Sequence, residues 1–280
     1  MHFALVATLP LVLVAEDSRW IHRSVGFIQT ATAAEAETGG ELAWSQIGGE
    51  YRAWHPWGDD HWAGLGFGAA ATRYDDDLGF DRSVILAWGR GGGSYFILPY
   101  LALSGQVAGG WVGEAGADAS DAVQWQATLG PQLFTAADRS IFLGILVRDP
   151  VGRDPQILPL ITVDWRFDDR WRLQVFDQVD ELSRLRWRYA DQQELGLRVD
   201  INLRSWAVDE PGLAGIDHTA ISAALEWGWL PDPGGSDIVR IYAGPILSQT
   251  LTSVDDRGNE VSEVDLDPAL VVGASVRFAF

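Results

Sequence analysis

Strict alternation of apolar and polar residues, an abundance of tryptophan and the lack of any long apolar run predict one fold class. It is all-β: a single antiparallel up-and-down transmembrane β-barrel of about 14 strands, with about 12 as the alternative. The alternation is cleanest at 194–206, where Leu195, Leu197, Val199, Ile201 and Leu203 interleave with Glu194, Gly196, Arg198, Asp200, Asn202 and Arg204. Segments 123–129, 157–167 and 219–229 repeat the pattern, and a period of two is the β period. The 280 residues hold 14 tryptophans, and many lie near the ends of these segments, as aromatic girdles do at membrane interfaces. No apolar run reaches the ~18 residues of a membrane helix, a limit that does not apply to alternating strands.

The first fifteen residues, "MHFALVATLPLVLVA", are nearly all apolar and are followed by "EDSR". Their apolar core has signal-peptide length, and Ala15 suits the position before a cleavage point. Leu13 is larger than that rule prefers, and no Lys or Arg precedes the core. Residues 1–15 therefore read as a signal-peptide remnant, with a first strand as the alternative, and 16–280 as the barrel domain. Turn-rich breaks then divide the chain into strands at 22–34, 41–54, 61–74, 82–90, 94–110, 121–135, 140–148, 156–167, 171–178, 182–189, 194–208, 217–230, 237–252 and 267–280. Short links such as "HPWGDD", "RGGG", "AAD", "DDR", "ADQQ" and "PDPGGS" alternate with longer ones such as "YDDDLGFD", "WVGEAGADAS", "DPVGRDP", "DEPGLAG" and "SVDDRGNEVSEVD". Consecutive membrane-crossing strands give this alternation, with short turns on the periplasmic side. An even strand number then puts both termini on that side. Trp54, Trp57, Trp62, Trp88, Trp165, Trp171, Trp227 and Trp229 fall near it. The girdle is expected from Trp54, Trp57, Trp62, Trp165, Trp171, Trp227 and Trp229.

Composition excludes several functions. Net charge is −19, with 39 acidic residues against 20 basic ones, all of them arginine. Such a chain repels phosphate, so nucleic acid is no partner. There is no cysteine, which rules out disulfides and thiolate metal sites.

The last strand, "VVGASVRFAF", places Val276, Phe278 and Phe280 on one apolar row and Arg277 on the other. It resembles the C-terminal assembly signal of Gram-negative outer-membrane β-barrel proteins. "ILPLITVDWRFDDRWRLQVF" and "GELAWSQIGGEYRAWHPWGDDHWAGLGFGAAATRYDDD" are similar to the strand–turn–strand design of uncharacterised porin-like barrel families. The resemblance covers residues 20–280 and is architectural. It implies an outer-membrane location with both termini periplasmic. The implied partners are outer-membrane lipid and the barrel-insertion machinery, which would read Phe280, Phe278 and Val276.

Eight of the 20 arginines crowd into 166–204: Arg166, Arg170, Arg172, Arg184, Arg186, Arg188, Arg198 and Arg204. By parity all but Arg170 oppose the membrane row, and Asp164, Glu194 and Asp200 share their face. Two readings follow: a packed interior of guanidiniums and carboxylates, or a constriction favouring small anionic solutes. The expected function is a narrow porin-like channel or solute-binding barrel. The alternative is a structural or adhesion barrel with acidic surface loops and no open pore. An outer-membrane lipid-modifying enzyme ranks behind both. His218, Ser222 and Glu226 share an inward face, but four strand residues span ~13 Å, beyond the reach of a nucleophile and its base. No catalytic residue and no cofactor are expected. The acidic loops, with Asp75, Asp76, Asp77, Asp118, Asp121, Asp255, Asp256, Glu260, Glu263 and Asp265, lack EF-hand spacing, so no metal is expected either. "GLGFG" and "GRGGG" precede no helix and make no phosphate loop.

Overall fold

A computed structural model describes residues 20–37, 39–56, 61–76, 82–136, 139–176, 182–231 and 237–279. Its strands are β1 (Ile21–Glu35), β2 (Glu41–Pro56), β3 (His61–Asp76), β4 (Ser83–Leu98), β5 (Leu101–Glu114), β6 (Val123–Ala136), β7 (Arg139–Asp149) and β8 (Gln156–Arg166). They continue with β9 (Trp171–Val175), β10 (Ser183–Ala190), β11 (Gln193–Glu210), β12 (Leu213–Trp229), β13 (Ile238–Val254), β14 (Glu260–Leu266) and β15 (Ala269–Ala279). One short helix, α1 (Ala119–Ala122), interrupts the β5–β6 link.

Each strand pairs antiparallel with the next from β1 to β13, β13 pairs with β15, and β15 closes on β1. The ring has 14 strands, and β14 is the extra one. β13 shows why: its first half pairs with β15 and its second half with β14. Pro268 stands at the break between β14 and β15, where a residue without an N–H ends a ladder. The two pieces act as a single return strand, and the β13–β14 hairpin rises past the end of β1.

The outward row of nearly every strand is apolar and exposed: Ile28, Ile47, Phe67, Ile85, Val107, Leu129, Ile145, Ile161, Leu197, Leu225 and Ile241. Leu225 is 74% exposed, and the belt continues around the ring. An apolar surface of this extent belongs against hydrocarbon, and closure leaves the ladder few edges there. This is the build of a transmembrane β-barrel. Both described chain ends lie at one end of it, termed the lower end below.

Several expected links are different in the structure. "RGGG" is not a turn: Gly91, Gly92 and Gly93 run inside β4, and the chain reverses at Pro99 and Tyr100. A Cβ on Gly92 would stand 2.5 Å from the Gly105 carbonyl, and one on Gly93 2.4 Å from that of Trp62. The glycines admit neighbouring backbones rather than turning the chain. "DEPGLAG" is no long link either, since β11 and β12 extend through it to a turn at Pro211 and Gly212. Gly212 has φ +87°, the left-handed value a Pro–Gly turn requires. Most of "NEVSEVD" is β14, leaving a tip around Asp255 whose Oδ1 accepts from the backbone N–H of Arg257 and of Asn259. The "DDR" turn is as expected: Asp168 Oδ1 accepts from the N–H of Arg170 and Trp171, both at 2.7 Å.

Candidate functional site: an arginine-rich lumen with a window in its wall

Parity gives the lumen its residues. Arg172, Arg184, Arg186, Arg188, Arg198 and Arg204 all occupy the row opposite the exposed leucines and tryptophans of their strands, as does Asp164. Arg166 shares that row but is exposed at the lower rim. The arginines do not form an unopposed ladder. Arg240 of β13 brings Nη2 to Glu194 Oε1 at 3.1 Å and Nε to Glu226 Oε1 at 3.1 Å. Arg184 reaches Glu226 at 3.3 Å and Arg186 reaches Glu194 at 3.5 Å. Arg186 also donates to Gln174. All five charged residues are buried, Glu226 to 2% exposure, and the cluster fills the lower lumen beside β10–β13. Arg172 pairs with Asp164 on the lower rim. Arg198 pairs with Asp200 at 3.0 Å and lies 3.9 Å over the Tyr242 ring.

Glu226 and Arg240 complete this network, and Glu50, Arg52 and Arg90 form a second one across the barrel. Glu50 receives Arg52 at 2.6 Å and Arg90 at 2.6 Å. None of the five belongs to the arginine-dense stretch at 166–204, and Arg90 and Arg240 are the sole charged residues of their strands. A search for arginine density overlooks them, whereas following inward parity strand by strand would have found them.

The upper lumen is packed by different chemistry. Tyr74 stacks on Trp206 at 4.9 Å between centroids, and its hydroxyl meets Nδ1 of the fully buried His218 at 3.3 Å. Trp44, Leu42, Val84, Ile216 and Ile246 join the same cluster. Ser222 and Glu226 lie further down the inward row of β12, separated from His218 and from each other by the buried Ala220 and Ala224, and Glu226 is committed to Arg240, so the three form no nucleophile–base set.

The packing is possible because the upper half of β11 leaves the wall and leans across the lumen. Arg204 Nη2 donates to Gln46 of β2 at 2.7 Å, Gln124 of β6 donates to the Ser205 carbonyl at 2.7 Å, and Ala207 pairs with Gly113 of β5. Below this, β9 has 5 residues and β10 has 8. β9 pairs with β8 only from Val163 downward, and β10 pairs with β11 only up to Val199. Among the described residues, β8 above Val163 and β11 from Asp200 to Ser205 therefore have no strand partner on their facing edges. They frame a window. Its head is the Val151 N–H, which donates to Ser205 Oγ at 3.1 Å, and its sill is Val175, Phe176 and Leu182.

Behind the window lies a cavity of about 990 Å³. It is bounded by both faces of β8, with Leu158 and Leu160 inward and Pro159 and Ile161 outward, and by both faces of β11, with Arg204 inward and Leu203 outward. Among the described residues, the cavity therefore touches both faces of each strand along their unpaired edges.

The aromatic positions divide by parity. Trp165, Trp171, Trp227 and Trp229 face outward near the lower end, joined by Trp187, which stacks on Trp171 at 5.9 Å. Trp54 and Trp62 are corrected: both occupy the inward row at the lower mouth, where Arg23 lies 5.3 Å over the Trp54 ring. Trp88 is corrected too, because without a turn at "RGGG" it falls mid-strand and lines the cavity. Nearness to a strand end sets depth in the membrane, and parity alone sets the side. Phe278 and Val276 occupy the outward row of β15, and Phe278 is 49% exposed. Phe280 and Trp57 lie outside the described residues.

No protein-family model matches the chain, and no curated protein matches it. Among solved structures, the toluene transporter TodX of Pseudomonas putida is 10% identical with a TM-score of 0.46, covering 95% of this chain and 91% of that one. An outer-membrane channel of Pseudomonas putida F1 is 10% identical with a TM-score of 0.40, covering 95% and 97%. The KdgM porin, solved with oligogalacturonate, is 8% identical with a TM-score of 0.34, covering 91% and 99%. The likeness is one of overall form. The closed hydrogen-bond ladder itself makes this chain a barrel.

Proposed function

We propose that the chain is an outer-membrane barrel, with both termini periplasmic, whose lumen binds and slowly passes small anionic solutes. The observation that carries this reading is the charge of the cavity wall. Arg52, Arg90, Arg148, Arg184, Arg198, Arg204, Arg240 and Arg277 line it among the described residues, against Glu50 and Asp200. Fixed guanidiniums in a low-dielectric wall favour anions, and side-chain charge tunes the selectivity of such pores. The packed upper lumen and the lower ion network restrict traffic, so the barrel acts as a site with slow passage rather than as an open pore. Outer-membrane lipid covers the apolar belt. The last strand, with Phe278 and Val276 outward, serves recognition by the barrel-insertion machinery.

Liposome swelling tests the reading. Small carboxylates should enter vesicles carrying the barrel faster than neutral sugars of matched size, and equal or slower entry would overturn it. The filling of both lumen ends favours a second reading, a structural barrel that passes nothing. A barrel that neither swells vesicles nor retains any anion would support that second reading.

A further inference from the structure

We propose that a small alcove of the lumen, between β11, β12 and β13, selects α-hydroxycarboxylates from among small anions. The inference rests on the reading of the lumen as an anion site and assigns its ligand class.

The alcove is a product of inward parity and small side chains. Arg198, Asp200 and Asn202 are successive inward residues of β11, and Asp200 pairs in register with Ser222 of β12. On the same row of β12, Ala220 stands opposite Asn202 and Ala224 opposite Arg198. Alanine on both sides of Ser222 leaves a hollow of about 20 Å³, lined also by Trp44 and Tyr242. One water-sized group needs ~10–15 Å³, so the hollow admits a single hydroxyl-sized group and no carbon chain. Gln29, Arg198, Asp200, Asn202 and Tyr242 border both this hollow and the cavity of about 990 Å³, so the two adjoin. The wall here is whole: β11 and β12 pair without a break from Gln193 to Ala207.

The polar groups around the hollow match a hydroxyl. Asp200 gives Oδ2 to Arg198 at 3.0 Å, which leaves Oδ1 to accept. Asn202 and Ser222 make no side-chain hydrogen bond among the described residues, and neither has a polar atom sealed from the open space. A hydroxyl both donates and accepts, so it serves Asp200 and either neighbour at once. A methyl group leaves all three unmatched, and a second carboxylate meets Asp200. An ammonium offers no acceptor and lies against the Arg198 guanidinium. The carboxylate of the ligand stays in the larger cavity on Arg198 itself. Arg198 uses Nη2 on Asp200, and none of its nitrogens is both buried and unpartnered, so its other N–H groups face open space. Only a hydroxyl on the carbon next to the carboxylate reaches the hollow while the carboxylate holds the same arginine.

The site is also held in place before any ligand arrives. Arg198 is 8% exposed, and its guanidinium lies 3.9 Å over the Tyr242 ring. The Tyr242 hydroxyl donates to Gln29 at 2.8 Å, and Gln29 donates to Gln46 at 2.7 Å. This chain fixes the ring, the ring fixes the plane of the guanidinium, and Asp200 fixes its edge. Donors oriented in advance lose little freedom on binding, which favours a ligand that fits them over one of equal charge that does not.

The test is equilibrium dialysis of the whole barrel, folded in detergent micelles, against radiolabelled lactate and propionate, which differ by one hydroxyl. Lactate should show a dissociation constant about ten-fold lower, equivalent to about 1.4 kcal/mol. 3-Hydroxypropionate, whose hydroxyl stands one carbon too far, should bind as propionate does. Ser222→Ala and Asn202→Ala should each cut the lactate-to-propionate preference to about three-fold, the size of one lost hydrogen bond. A misfolded barrel loses both ligands, so misfolding cannot imitate a change in their ratio. Equal binding of lactate and propionate overturns the alcove, as does a preference that survives both substitutions, or alanine bound more tightly than lactate. Liposome swelling separates this claim from the reading it rests on. If both carboxylates outrun neutral sugars into vesicles yet bind alike, the alcove alone is wrong. If lactate is preferred but no anion crosses, the alcove stands and the passage reading falls. If neither carboxylate binds or enters, the anion site falls and the alcove with it.

Discussion

The two sides of this barrel differ in height, and their interiors differ with it. On one side β2, β3 and β4 have 16 residues each, and β11, β12 and β13 have 18, 17 and 17. Their upper inward residues meet across the lumen as a Tyr74–Trp206–His218 plug. On the other side β9 and β10 have 5 and 8 residues, and above them, among the described residues, β8 and β11 have no strand partner on their facing edges. Inward side chains fill a lumen only where two tall walls face each other. Where a wall stops short, the neighbouring strand leans away and a cavity remains.

Breaking the packed side should cost the most. Glu226→Ala removes the carboxylate that Arg184 reaches and one of the two that Arg240 reaches, and breaking a buried ion pair costs about 3–5 kcal/mol. Denaturant unfolding of the barrel refolded in vesicles should show a loss of that size. Trp206→Ala should cost about 3 kcal/mol by the same measurement, from its cavity and its lost stack on Tyr74. It should also raise conductance, because it thins the plug. On the low side the effects shrink or reverse. Phe176→Gly should stabilise by about 1 kcal/mol, since glycine accepts φ +46° without strain. Asp164→Asn, which breaks a pair whose side chains are more than a third exposed, should cost under about 1 kcal/mol.

The smallest effect concerns the hairpin tip outside the membrane. Hydrogen bonds from Asn259 and Arg257 hold the Asp255 carboxyl below its usual range. A carboxyl depressed on folding stabilises above its unfolded pKa and loses that contribution as pH falls through the folded one. Amide exchange at Arg257 and Asn259 should therefore quicken below about pH 4, starting from the ordinary range of Asp. Rates that stay flat down to strongly acid pH would contradict the capping role.

Period-two alternation, read residue by residue, was enough for the strands, the barrel and the lumen-facing arginines, because parity is local. Turns were less legible. Three glycines in a row look the same whether they reverse the chain or, as at Gly92 and Gly93, make room for a neighbouring carbonyl. The plug and the window were not legible at all. They depend on pairs such as Gln46 with Arg204, 158 residues apart, and Tyr74 with His218, 144 apart, whose meeting depends on how far β11 leans. The balancing acids were half visible: Glu226 stood on the inward row, but its partner Arg240 lay in a strand with no arginine cluster.

The central claim is that fixed guanidiniums govern this lumen. The most direct measurement is the reversal potential of the reconstituted barrel in a planar bilayer across a KCl gradient. The account expects a small current that prefers chloride, with the preference reduced in Arg204→Gln. A cation-preferring current, or a membrane that stays silent, would contradict it.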